Sequence, residues 1–184
     1  MQKTIRIIDH LNNVIGRSIS WLTLAMVIVT FLVVVLRYAF SVGWIAMQDS
    51  IIYLHALVFM LGSAYTLKQN GHVRVDIFYE KMGPRSRAWI DMLGTIFLLI
   101  PFCLFTIAIS WNYVSLSWSL LEGSRDAGGL PAVFLLKTTI PVMAVLLMLQ
   151  GIAQALRSVL LLSGRAIPAD TSDDDQLNDQ VRNA

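Results

Sequence analysis

His55 is the one charged or imidazole-bearing residue set well inside an apolar stretch of this chain, about two helical turns from Asp49. A group in that position can relay protons or hold a cofactor; it can also sit neutral and hydrogen-bonded between helices. Asp49 and Asp91 each stand at the start of an apolar stretch. A carboxylate is favoured there by the positive end of the helix dipole, and this role competes with a proton relay. A membrane haem takes axial ligands from facing helices, and His10 and His72 lie outside the apolar stretches, so His55 has no mate. His72 and Asp76 offer two metal ligands, which do not make a site. Cys103 is the only cysteine; it cannot form an intrachain disulfide and reads as a small apolar filler. No phosphate-binding glycine loop, nucleophile triad or CxxC pair is present. No catalytic residue, cofactor or metal is assigned, and nucleic acid is not an expected partner.

The remaining charges mark contacts. The segment from Lys68 through Gly71-His72-Val73-Arg74-Val75-Asp76 alternates polar and apolar side chains after an Asn70-Gly71 turn signal. It reads as a loop that tucks its apolar side against protein and pairs Arg74 with a carboxylate. A second loop runs Trp118-Ser-Leu-Leu-Glu122-Gly-Ser124-Arg125-Asp126-Ala-Gly128-Gly129-Leu130-Pro131. It is either a solvated connector or a docking surface for an external partner. Lys137 lies two turns into the apolar stretch that begins at Leu130, and Arg37 ends the first one. Each must reach lipid headgroups or pair with Asp49, Glu122 or a neighbouring subunit.

Four uncharged stretches position these residues: nineteen residues between Arg17 and Arg37, eighteen between Asp49 and Lys68, thirty between Asp91 and Glu122, nineteen between Lys137 and Arg157. A hydrocarbon core of about 30 Å takes about 20 residues of helix. Inside it the backbone must satisfy its own hydrogen bonds, which selects helices. The sequence predicts an all-α integral membrane protein with spans at about 18–36, 48–67, 88–114 and 135–162. Hydrophobic residues at 56% against 14% charged agree with this and leave no soluble catalytic domain. Trp21 and Tyr38 would anchor the first span at opposite interfaces. Gly62, Ser63 and Ala64 would permit close helix approach in the second span. Pro101 would kink the third. Eleven of the fourteen basic residues fall in segments 1–17 and 68–87 and in the tail from 157. The positive-inside rule then places both termini in the cytoplasm and the loops around 37–49 and 115–137 outside. Residues 1–17 put Ile7, Ile8, Leu11, Val14 and Ile15 on one helical face. They form either an amphipathic helix on the membrane surface or an extension of the first span. Residues 164–184, polar with the run Asp173-Asp174-Asp175, are expected to be disordered.

Taken in order, these landmarks resemble the small membrane subunit, DctQ type, of tripartite ATP-independent periplasmic (TRAP) transporters. Arg37-Tyr38 closes the first span, and Trp44 and Asp49 precede the second. Gly62, Ala64 and Tyr65 come before Gly71-His72-Val73-Arg74-Val75-Asp76. Trp111, Ser117-Trp118, Glu122-Gly-Ser124, Gly129-Leu130-Pro131, Lys137 and Ile140-Pro141 follow. The resemblance covers about residues 5–162. The chain departs from it after Tyr38, where many members carry proline, and at Asp49, where glutamate is common. The resemblance implies a scaffold that packs beside a large DctM-type subunit. That subunit imports an organic acid by an elevator motion coupled to an ion gradient, after capture by a periplasmic DctP-type binding protein. It makes Arg37, Tyr38, Trp44, Asp49, His72, Arg74, Asp76, Glu122, Ser124, Gly129, Leu130, Pro131 and Lys137 candidates for partner contact, with the bilayer as a further partner. A self-contained homodimeric transporter and the membrane anchor of a redox enzyme are the alternatives.

Overall fold

The structure, a computed structural model, describes residues 1–72 and 82–164. Arg74, Asp76 and the tail from residue 165 lie outside the described residues. Four helices carry the rest: α1 Gln2–Ala39, α2 Ile45–Lys68, α3 Pro84–Ser119 and α4 Val133–Leu162, each long and apolar enough to cross a membrane. No strand occurs among the described residues. The helices run alternately up and down. One end of the molecule, here the near end, carries residue 2, the 68–84 connection and residue 162. The far end carries the 40–44 and 120–132 connections.

The first seventeen residues are not a separate element. They continue α1 without a break. At ~1.5 Å per residue α1 is roughly 57 Å long against a core of about 30 Å, so its polar first turns extend beyond the apolar layer. The side they bury takes only Ile8 fully from the apolar stripe. Ile5, Ile8, Asp9, Asn12, Gly16 and Ile19 are buried, whereas Ile7, Leu11 and Val14 are exposed. The physical reason is the polar pairing: Asp9 and Asn12 need polar partners, α4 supplies them, and their face turns inward at the expense of Ile7, Leu11 and Val14.

α4 is the central helix. α2 packs on it from one side and α3 from the other; α1 packs along α2 and reaches α4 at the near end. The result is an open row, α1–α2–α4–α3, in place of a closed bundle. Its core lies between α3 and α4, where Cys103 and Ala144 are fully buried beside Leu147. Two glycines permit the tight crossings. A Cβ on Gly16 would lie 2.5 Å from the Tyr65 ring of α2, and one on Gly151 would lie 2.6 Å from Leu99 of α3. Gly62 does not serve this purpose: its missing Cβ faces open space, and in that stretch only Ala64 is fully buried. In α3, Pro101 lacks an N–H and crowds the carbonyl four residues back. The ladder ahead of it widens into a π-helical turn, Thr95–Leu99, with the Ile100 N–H donating to the Thr95 carbonyl. Gly151 of α4 seats against this widened turn.

Candidate functional site

The α3 helix ends in a Schellman turn. The Glu122 N–H donates to the Ser117 carbonyl at 3.0 Å and the Leu121 N–H to the Trp118 carbonyl at 3.2 Å. Leu121 takes the left-handed conformation (φ 44°) that glycine usually fills. This turn folds Glu122 back over the helix end. Its Oε2 accepts from the Ser117 hydroxyl at 2.7 Å and from the Lys137 ammonium of α4 at 2.5 Å. The same ammonium sits 3.9 Å from the Tyr113 ring centre. The Lys137 bond, and after it the Ser117 hydroxyl, hold the Glu122 carboxyl below its ordinary pKa. Of the roles open to Lys137, the structure selects the pair with Glu122.

Beyond Glu122 the loop closes on α2. The Ser124 N–H donates to the Leu130 carbonyl at 2.9 Å, and the Gly129 N–H donates to the Asp126 carbonyl at 2.9 Å. The Leu130 N–H donates to Asp49 Oδ2 at 3.0 Å. Gly129 is required by this closure, since a Cβ there would press on the Ser124 hydroxyl and lie 2.5 Å from Asp49 Oδ2. A Cβ on Gly123 would lie 3.3 Å from Pro131. On the α3–α4 side the Trp118 indole donates to the Thr138 hydroxyl at 2.8 Å and meets Phe134 edge-on at 4.7 Å. Asp49, Glu122, Ser124, Gly129, Leu130, Pro131 and Lys137 therefore form one knot at the far end, joining α2, α3 and α4. Asp49 does not act on the helix dipole as the sequence suggested. α2 begins at Ile45, so its carboxylate lies past the first turn and is free to take the loop amide. Asp91 is likewise two turns inside α3.

Four described candidates stand apart from the knot. Arg37 is exposed, Tyr38 is 82% exposed and Trp44 is 59% exposed, all around the 40–44 connection. His72 is exposed at the near end, opposite the knot, and Arg74 and Asp76 lie outside the described residues.

A second polar group lies at the near end. The Asn12 amide of α1 donates to Gln150 Oε1 of α4 at 2.7 Å, with both side chains buried. One turn away Asp9 pairs with Arg157. Lys68 of α2 donates to Asn13 at 2.8 Å. Lys68, Arg87, Asp91, Gln154 and Arg157 line a cavity of about 420 Å³ beside this group. These partners lie 55 to 148 residues apart in the chain, so no local pattern announces them. Their only sequence trace is polar residues on an otherwise apolar helix.

His55 joins neither group. It lies exposed on α2, its ring stacked on Phe59 with centroids 6.4 Å apart. The reading in which it is hydrogen-bonded between helices of this chain fails, because its side of α2 faces away from α1 and α4. Among the described residues no three metal-ligating side chains come together.

Four apolar helices whose polar side chains tie helix to helix and loop to helix define a multi-pass membrane protein with a structural interior. The family model for tripartite ATP-independent periplasmic transporters, DctQ component, matches residues 26–161, and the chain belongs to that family. Membership makes it a DctQ component of a TRAP transporter, with four helices long and apolar enough to cross a membrane. A Haemophilus influenzae protein with the provisional name TRAP transporter small permease protein is 33% identical over 106 residues; the match spans 58% of this chain and 63% of that relative. No solved structure matches.

Proposed function

We propose that this chain is the static scaffold of a binding-protein-dependent secondary transporter. A DctP-type periplasmic protein delivers an organic acid, a DctM-type large subunit moves it inward on an ion gradient, and this chain packs beside the large subunit and widens its hold on the bilayer. One observation carries the reading. Within the apolar midsections of the four helices His55 is the sole acidic, basic or imidazole side chain, and it points outward. Ion-moving proteins place such groups facing an interior path. The near end, rich in basic residues, is then cytoplasmic with both termini. The knot shapes the periplasmic face, where Arg37, Tyr38 and Trp44 remain open to headgroups and partners. His72, Arg74 and Asp76 are assigned to large-subunit contact on the other side.

Deleting the chain tests the reading. Uptake should be lost while the purified binding protein still binds its ligand. Uptake that persists with the large subunit alone removes the role. Gradient-driven solute accumulation by this chain alone in liposomes also removes it.

A further inference from the structure

α2 is apolar along most of its length, yet its sides differ. Its exposed positions are Ile45, Ile52, His55 and Phe59. With Gln48 and Gly62 they recur at three- and four-residue steps, the spacing of a helix–helix seam. α1 and α4 cover the other sides. His55 stands near the middle of this 24-residue helix, so about 15 Å of hydrocarbon separates it from either surface. Its side chain is too short to snorkel that distance. It makes no hydrogen bond to any described residue, only the ring contact with Phe59. Acyl chains offer neither donor nor acceptor, so a lipid-facing imidazole keeps an unmet desolvation cost. Gly62 lies two turns further along the same side, and nothing comes within 4 Å of the position its Cβ would take. Gly16 and Gly151 serve crossings inside the chain; Gly62 leaves room for a helix from outside.

We propose that the Ile45–Gly62 side of α2 seats a transmembrane helix of the large membrane subunit, and that this helix brings a hydroxyl, amide or carboxyl group to His55. The proposal rests on the transporter reading above. The family is one component of a tripartite system, which favours a different membrane polypeptide over a second copy of this chain.

The test uses membranes containing the tagged full-length chain and the large subunit. A photoreactive residue is placed at Ile52 or Phe59 on the seam, or at Phe105 or Ile109 on the exposed face of α3. Seam positions should give an adduct with the large subunit and α3 positions should not. Adducts from α3 alone, seam adducts to a second copy of this chain, or seam adducts to lipid only would each overturn the proposal. In a second arm, His55→Leu should recover about threefold less large subunit than wild type, the usual size of one interhelical hydrogen bond in membranes. His55→Gln, which keeps a donor and an acceptor, should recover the wild-type amount. Equal recovery from both variants overturns the hydrogen bond. If the wild-type chain recovers no large subunit, the transporter reading itself fails. If it does, and cross-links arise elsewhere, this seam alone fails.

Discussion

The two ends of the molecule hold the same central helix by different means. At the near end α4 is tied to α1 through side chains alone: Asn12 to Gln150, and Asp9 to Arg157. The Asn12–Gln150 bond is buried, the Asp9–Arg157 pair is part-buried, and both are incomplete. Asp9 Oδ1, Asn12 Oδ1 and Gln150 Nε2 have no partner. At the far end α4 is tied to α3 and α2 through a loop whose backbone amides and carbonyls do much of the bonding, and the charged pair there is part-buried like that of the near end. The contrast follows from what each end must fix. Near-end helices slide freely unless side chains set their register, because lipid competes equally for apolar surface. The far end has a loop to shape, and a loop is shaped by satisfying its backbone. Register at one end and shape at the other predict different sensitivities to substitution.

The largest effect is expected from Arg157→Leu. It leaves Asp9, only 5% exposed, as a buried carboxylate without its cation. Removing one member of a fully buried pair costs about 3 kcal/mol or more, and the part-exposed Arg157 sets this loss at up to about 3 kcal/mol. Thermal unfolding in detergent should show this loss, and Asp9→Asn in the same background should return part of it. If Arg157→Leu is neutral, the near end is not held by its ion pair and the contrast collapses. Next comes Gly129→Val at the far end. The branched side chain would overlap Ser124 and Asp49, displace the loop from α2 and cost about 2 kcal/mol by overpacking. Its distinguishing sign is local: proteolysis of the 120–132 connection should rise while cross-linking between α1 and α4 stays unchanged.

The sequence shows one end far better than the other, for a physical reason. The spans are legible because charge exclusion from hydrocarbon is severe, and the four uncharged stretches fall on α1 to α4, the third running two residues past the end of α3. The far-end knot is partly legible as well. Glu122 and Lys137 sit fifteen residues apart across one turn, and a lysine inside an apolar stretch needs a partner. Helix faces are not legible by hydrophobicity when both lipid and protein are apolar. That is why Ile7, Leu11 and Val14 of the stripe prove exposed while Ile8 is buried, and why the packing glycines are Gly16 and Gly151 and not Gly62. Pairings such as Asp9 with Arg157 depend on how the row of helices is assembled, which no stretch of local sequence encodes.

A double-mutant cycle sharpens the comparison further. Asn12→Leu or Gln150→Leu alone strands a buried polar partner and should cost about 1 kcal/mol, whereas the double variant should recover most of that loss. Recovered stability need not mean recovered register. Disulfide trapping between α1 and α4 should yield several pairings in the double variant and one in the wild type. A single pairing in both would show that the Asp9–Arg157 pair sets the register without help from Asn12 and Gln150.

Acid should act on the far end. The folded pKa of Glu122 is depressed, so its pair contributes fully above the ordinary carboxylate value of 4.5 and is lost as pH falls through the lower folded value. The stability difference between wild type and Glu122→Gln should be constant above about pH 5 and shrink on further acidification. A difference that grows with acid would mean the carboxyl is held protonated and the pair misassigned.

The smallest effect is the most diagnostic of how the knot is made. Leu121 occupies a left-handed backbone position at a cost of about 1–2 kcal/mol, and its side chain is 65% exposed, so little packing compensates. Leu121→Gly removes that cost but adds backbone entropy to the unfolded chain, about 0.5–1 kcal/mol. The variant should therefore gain about 0.5 kcal/mol in thermal unfolding. A loss instead would mean that the exposed Leu121 side chain rests on something outside this chain. Measuring the same variant with and without the large subunit separates the two cases, because only a partner contact makes the sign depend on the subunit's presence.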